Sequence, residues 1–429
     1  MLVIGAGVVG CSIAYELARA GRDVQVVDSG PAAGSGSTSA SSAIVRFNYS
    51  THTGVATAWE AYHGWLEWAK YLDAPPGEML ARYFRTGGLL LDAPGIPNQL
   101  INGLLRDVGV PYEVWDAATL RQRMPALDPG RFHPPKPIAD SAFWDDADGY
   151  VGGCFTPDAG FVDDPALAAQ NLMSAAQRHG AVSRFRRTVT RILREGTRCI
   201  GVVLDDGTEL HAKVVVNAAG PASHRVNELA GVLDDFNIST RPLRQEVHQI
   251  AAPADYGLDQ PTHPFVADPD LGTYFRPTPG DDLLLGGLEP ACDPFEWLDD
   301  PDDFDPAPTT AVFEAQSLRV ARRLPSLRVP GRPKGIAGVY DVSDDWTPVY
   351  DRTAVDGFFV AIGTSGNQFK NAPVIGLLLR ELIEAVESGR DHDADPVEVL
   401  LPRTGVRVSL GPYSRLRSLN RDSTFTVLG

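Results

Sequence analysis

A chain of 429 residues exceeds what one small core organises, so two domains, or a large one with an inserted unit, is the expectation. Its 43% hydrophobic and 22% charged residues are those of a globular protein, not a disordered one. A net charge of −17, from 55 acids against 38 bases, argues against nucleic acid or an anionic membrane as the main partner.

The first predicted element is a short apolar strand, Met1-Leu2-Val3-Ile4. It runs into Gly5-Ala6-Gly7-Val8-Val9-Gly10, a G-x-G-x-x-G turn. A helical stretch, Cys11 to Ala20, follows and stops at Gly21. A second strand, Val24 to Val27, ends on Asp28. In such a unit Gly5 permits the tight turn, Gly7 lets the backbone approach a pyrophosphate, and Gly10 lets the helix pack close to the strand. The helix N-terminus, from Val8 and Val9, offers free N–H groups and positive dipole to phosphates. Asp28, about 20 residues beyond the glycines, can bind a ribose hydroxyl pair. The acid argues against NADP and leaves NAD and FAD open.

Next comes Gly34-Ser35-Gly36-Ser37-Thr38-Ser39-Ala40-Ser41-Ser42, a run of small residues that allows close backbone approach to a second, flatter portion of a ligand. It leads into apolar Ala43-Ile44-Val45 and then Arg46. Further on, Cys199 to Leu204 and the turn Asp205-Asp206-Gly207-Thr208 read as a hairpin. A buried strand, Lys213 to Asn217, then ends in Ala218-Ala219-Gly220-Pro221. Alternating strands are expected at Arg244 to Ile250 and on both sides of Pro279-Gly280-Asp281. Near the end, Gly357 to Ile362 forms a strand, Gly363-Thr364-Ser365-Gly366 a turn, and about Ala372 to Ser388 a helix, with Gly389 after it. The dipole of that helix suits the negative charge of a reduced flavin.

These segments, in this order, resemble the D-amino-acid-oxidase-like flavoenzymes, and more narrowly the sarcosine oxidase, dimethylglycine dehydrogenase and proline dehydrogenase β-subunit branch. The resemblance covers nearly the whole chain and is carried by the amino-terminal fingerprint, Asn217-Ala218-Ala219-Gly220 and Gly363-Thr364-Ser365-Gly366. It implies a Rossmann-type α/β FAD-binding domain with an inserted α+β antiparallel-sheet substrate domain. The boundaries drawn are 1–82, 150–225 and 335–429 for the cofactor and 83–149 and 226–334 for the substrate. The implied FAD contacts are Gly5, Gly7, Val8, Val9, Gly10, Asp28, Ser37, Thr38, Ser41, Ser42, Val189, Ala218, Ala219, Gly220, Gly363, Gly366, Asn367, Gln368, Phe369 and Lys370.

The same resemblance implies that Arg46 and Lys370 hold a substrate carboxylate over the flavin, and two cations fixing one anion would leave the α-carbon facing the flavin's N5. Tyr340 is implied to line the pocket, and Tyr274 to form its far wall. Glu246, His248 and Glu289 are candidates for handling the amine proton, though each also reads as a surface strand residue. Gly338 stands where covalent members carry a Cys, and Ser39-Ala40-Ser41 where others carry a His, so FAD is expected to be non-covalent. Leu284 occupies the place of an oxygen-activating Lys, which favours a dehydrogenase over an oxidase.

The function expected is oxidation of the C–N bond of a small amino acid, secondary or N-alkylated. The alternatives are a D-amino-acid dehydrogenase, a 2-hydroxy-acid oxidoreductase on the same fold, or a flavin-binding subunit of a hetero-oligomer. The partners expected are a small carboxylate-bearing amine and an electron acceptor, oxygen or a carrier; homo- and hetero-oligomers both stay open. Cys11, Cys154, Cys199 and Cys292 lie far apart, so neither a disulfide framework nor a zinc site is expected, and a reducing, cytoplasmic setting fits. No run of about 18 apolar residues suggests a membrane span, and no secretory signal is expected before Gly5. Acidic runs such as Asp299 to Asp303 read as solvated loops. The tail, with Arg403, Arg407, Arg415, Arg417 and Arg421, is expected to pack on an acidic surface of this chain or of a partner.

Overall fold

The structure is a computed structural model that describes residues 1–259 and 262–429. The chain opens as its periodicity predicts, with strand Leu2–Ile4, helix Val8–Arg19 and strand Gln25–Asp28. Leu2–Ile4 lies inside a six-stranded sheet ordered Val349–Arg352, Phe358–Ile362, Val215–Asn217, Leu2–Ile4, Gln25–Asp28, Val182–Phe185. All neighbours are parallel except the edge strand Val349–Arg352.

Both faces of this sheet are covered, which is why its strands read as continuous apolar runs. Side chains alternate between the faces. Leu2, Ile4, Val215, Phe358 and Val360 pack against a three-stranded sheet through Cys199, Val202 and Leu210. That smaller sheet, Val189–Glu195, Arg198–Leu204 and Glu209–His211, contains the predicted hairpin. Val3, Val26, Val216, Phe359 and Ala361 face helices Val8–Arg19, Pro165–Arg178 and Ala372–Glu387.

The last helix is docked closely on the first. A Cβ on Gly376 would lie 2.2 Å from the Ser12 carbonyl oxygen. The Ser12 hydroxyl donates to the Ala372 carbonyl at 2.5 Å and accepts the Gly376 amide at 2.9 Å. This contact brings the loop before Ala372 beside the glycine turn at Gly5–Gly10, although more than 350 residues separate them.

A second, nine-stranded sheet holds Thr240–Ala251, Asp282–Gly287, Thr273–Thr278, Phe265–Asp268, Gly88–Leu91, Gly153–Thr156 and Glu113–Trp115 in spatial order, with Glu296–Trp297 and Gly335–Ser343 also pairing with Thr240–Ala251. It is antiparallel apart from one parallel pair, Phe265–Asp268 with Gly88–Leu91. Helix Thr310–Arg323 covers it through Phe313 and Val320. At its end the buried Arg323 pairs with Asp268 at 2.7 Å and Asp270 at 2.9 Å. Gly153–Thr156 and Gly335–Ser343 fall on the cofactor side of the boundaries drawn from sequence, yet they hydrogen-bond within this larger sheet.

One sequence expectation is corrected here. Glu246 and His248 are not surface strand residues. They are buried in the Thr240–Ala251 strand, where Arg244 Nη1 bonds Glu246 at 2.7 Å and His248 stacks edge-on against Phe313. Burial depresses the His248 imidazole to about 4. The basic tail packs on acids of its own chain: Arg415 pairs with Asp235 and Asp393 at 2.7 Å each, and Arg417 with Asp345 at 2.8 Å. Among the described residues no helix is long and apolar enough to cross a membrane, and no side-chain group has a metal-binding arrangement.

Candidate active site

Gly5 has φ +105°, and a Cβ there would lie 2.2 Å from the Ala218 carbonyl oxygen. A Cβ on Gly10 would lie 2.0 Å from the Gly5 carbonyl oxygen. Only glycine fits the crossing of strand, turn and helix at these two positions. Gly7 is the N-cap of helix Val8–Arg19, and it has no side chain to spend on the helix amides. The Val8 amide is taken by the Thr38 hydroxyl at 3.0 Å. The amides of Gly7, Val9 and Gly10 have no partner among the described residues. That arrangement, a bare glycine cradle at a helix N-terminus, fits a dinucleotide pyrophosphate.

Asp28 stands at the end of the neighbouring strand, its carboxylate accepting the Ala6 amide at 2.5 Å and the Gly30 amide at 2.6 Å. Both bonds fix the carboxylate beside the turn and leave acceptor capacity for ribose hydroxyls. Val189 begins the first strand of the small sheet and is buried in the same apolar cluster as Val27 and Leu2. The small-residue loop folds into successive turns, and the Ser37 hydroxyl donates to the Val339 carbonyl at 2.6 Å. Ala218 and Ala219 close the floor under Gly5, with the Ala219 amide held by the Asn217 side chain at 3.1 Å. Gly220 follows with φ +57°.

A cavity opens between the small-residue loop, the large sheet and the turn before the last helix. Its walls include Ser41 and Ser42, Arg46, Tyr274 and Tyr340, and Gly366, Asn367, Phe369 and Lys370. Arg46, Lys370, Tyr274 and Tyr340, picked from sequence to hold the carboxylate and line the pocket, therefore meet in one place, whereas Glu246, His248 and Glu289 are not among its lining residues. Each tyrosine ring lies against a glycine: a Cβ on Gly286 would meet the Tyr274 hydroxyl at 2.5 Å, and one on Gly366 the Tyr340 ring at 2.4 Å. Gln368 sits just behind, accepting from the Tyr350 hydroxyl at 3.0 Å.

The two cations are buried and held by neutral groups. Arg46 donates to the backbone carbonyls of Asn48, Val427 (2.6 Å) and Leu428 (2.8 Å). Lys370 Nζ donates to the Tyr49 hydroxyl at 2.9 Å and the Asn367 carbonyl at 2.5 Å. Burial lowers both groups, and for Lys370 the neighbouring Arg46 charge adds to a large downward shift. Neither forms an ion pair with a carboxylate among the described residues. Such a pair of buried cations favours an anionic ligand.

Tyr49 escaped the sequence reading. It lies three residues past Arg46, and nothing in its local pattern separates it from a core aromatic. The cavity wall at Val427 and Leu428 was missed as well, because nothing local indicates that the tail returns there. Glu289, weighed both as a candidate for the amine proton and as a surface strand residue, lies just past strand Asp282–Gly287. It is half-buried, with one carboxylate oxygen accepting the Val427 amide at 2.9 Å.

The chain is similar in sequence and fold to several known proteins. A 4-methylaminobutanoate oxidase (formaldehyde-forming) of Paenarthrobacter nicotinovorans is 24% identical over 406 residues, covering 92% of this chain. The chain spans 45% of the length of that relative. Among solved structures, L-proline dehydrogenase from P. horikoshii superposes with a TM-score of 0.71 at 21% identity, covering 91% of this chain and 93% of that one. Glycine oxidase from Geobacillus kaustophilus gives a TM-score of 0.71 at 22% identity, with 98% of both chains covered. These two likenesses concern the fold. The model of the FAD dependent oxidoreductase family (DAO) matches residues 1–382, and the chain is a member of that family.

Proposed function

We propose that the chain oxidises the C–N bond of a small amino acid whose amine is secondary or N-alkylated, with hydride leaving the α-carbon for flavin N5 and water hydrolysing the resulting imine. The observation that carries this reading is the pair Arg46 and Lys370, two buried cations without a carboxylate partner among the described residues, in one cavity with Tyr274 and Tyr340. When bound, FAD supplies the two-electron acceptor. Gly5, Gly7, Val8, Val9 and Gly10 would hold its pyrophosphate and Asp28 its ribose. The small-residue loop, Val189, Ala218 to Gly220 and the Gly363–Lys370 segment would surround the rest.

In this reading Arg46 and Lys370 orient the substrate carboxylate, and the tyrosines close the pocket against water with Phe265 and Leu288. The cofactor unit comprises the six-stranded sheet and its covering layers, and the nine-stranded sheet roofs the substrate. Non-covalent attachment is supported at Gly338, the position where the resemblance places a linking Cys: an added Cβ there would lie 2.6 Å from the Ala40 Cβ, in the Ser39-Ala40-Ser41 region that carries no His. Leu284, opposite Arg276 in the large sheet, supports a dehydrogenase. The four free cysteines support a reducing, cytoplasmic setting.

The visible spectrum of the purified protein tests the reading. A flavin spectrum that bleaches anaerobically with N-methylated or cyclic α-amino acids is expected. A colourless protein that cannot be reconstituted with FAD overturns it, and flavin retained by acid-precipitated polypeptide overturns the non-covalent part.

A further inference from the structure

Glu289 follows strand Asp282–Gly287 where the chain turns out of the cavity wall. Its φ of +48° is a left-handed conformation that L side chains rarely adopt. One carboxylate oxygen is fixed by the Val427 amide, whereas Oε1 is buried and has no partner among the described residues. Leu288 before it and Val427 bonded to it both line the cavity that holds Arg46 and Lys370. On the strands packed against it, Tyr274 and Tyr340 both feel its charge, and Asp293 is the other acid facing it. Burial pushes its carboxyl up to about 8 against the pull of the Val427 amide.

A buried carboxylate oxygen without a donor is costly, and native sites normally supply one. Arg46 and Lys370 line the cavity, and Glu289 stands behind two of its other lining residues, Leu288 and Val427. We propose that Glu289 accepts the ammonium proton of the substrate, so that Arg46, Lys370 and Glu289 together select a zwitterionic amino acid. This rests on the function proposed above. The N–H bond breaks, an O–H bond forms at Oε1, and nitrogen keeps the electron pair. That pair becomes the C=N bond as the α C–H bond departs as hydride to FAD, leaving an iminium, reduced flavin and protonated Glu289.

Anaerobic flavin reduction followed from pH 6 to 10, with acetate or propionate binding in parallel, tests the proposal. Wild-type reduction should rise through a limb near pH 8. E289Q should keep FAD and bind the amine-free carboxylates within about twofold of wild type, lose that limb, and reduce flavin about 100-fold more slowly at pH 8.5. An unchanged rate and profile in E289Q overturns the proposal. If E289Q does not retain FAD, E289D is read instead: a slower reduction that keeps the limb supports the role, and wild-type rates throughout overturn it. A wild-type flavin that no amino acid bleaches overturns the proposed function and this inference together, whereas a bleached wild type with an unaltered E289Q overturns this inference alone.

Discussion

Lys370 Nζ donates to the hydroxyl of Tyr49 at 2.9 Å, and the same ring lies 4.9 Å from the Arg46 guanidinium. One aromatic side chain therefore holds both cations in place, by a hydrogen bond to one and its ring face to the other. The Tyr49 hydroxyl in turn donates to the Asn367 carbonyl at 2.8 Å, tying the pair to the turn before the last helix.

Removing either cation tests the proposed carboxylate site directly. Arg46→Met and Lys370→Met should each lower kcat/KM for amino acids by about 100-fold, because an anion would lose a buried charged partner worth roughly 2–5 kcal/mol. The loss should fall mainly on KM, with flavin content unchanged. Tyr49→Phe should cost about tenfold, since it removes the hydroxyl that accepts from Lys370 and donates to the Asn367 carbonyl but keeps the ring. Steady-state kinetics across an amino-acid panel checks all three.

Gly366 limits the cavity from behind. It has φ +67°, and an added Cβ would lie 2.4 Å from the Tyr340 ring. Gly366→Ala should push that ring into the cavity and weaken substrate binding by at least tenfold, while the flavin spectrum stays. Substrate titration of the oxidised flavin spectrum measures this.

Gly5→Ala and Gly10→Ala should act on the cofactor. Their Cβ atoms would stand 2.2 and 2.0 Å from backbone oxygens that cannot move without parting strand from helix. Each should lose FAD on gel filtration and lower the melting temperature by several degrees, in keeping with about 1–3 kcal/mol for overpacking a close contact.

Asp341 links pH to stability. It is buried, accepts the Gly363 amide at 2.6 Å, and burial pushes its carboxyl up to about 7. The folded chain thus holds a proton that the unfolded chain releases near pH 4. Its contribution is fully present below that pH and is lost as pH rises through about 7. The melting temperature should fall between about pH 4 and about 7, and Asp341→Asn should flatten that part of the curve. Thermal melts across this range decide it.

The amino acids alone determined the nucleotide-binding end. Gly5, Gly7, Gly10 and Asp28 act through local turns and one short strand–helix–strand unit, so their spacing in the chain is their geometry. The strand before Gly363 and the helix from Ala372 were legible for the same reason, through continuous apolar runs and terminal glycines. The convergence of Arg46, Lys370, Tyr274 and Tyr340 was decided by tertiary structure, because it depends on the docking of helix Ala372–Glu387 on helix Val8–Arg19 and on the pairing of Gly335–Ser343 with Thr240–Ala251. Tyr49, the tail at Val427 and the orientation of Glu289 left no periodic trace, since each acquires its place from contacts between segments far apart in sequence.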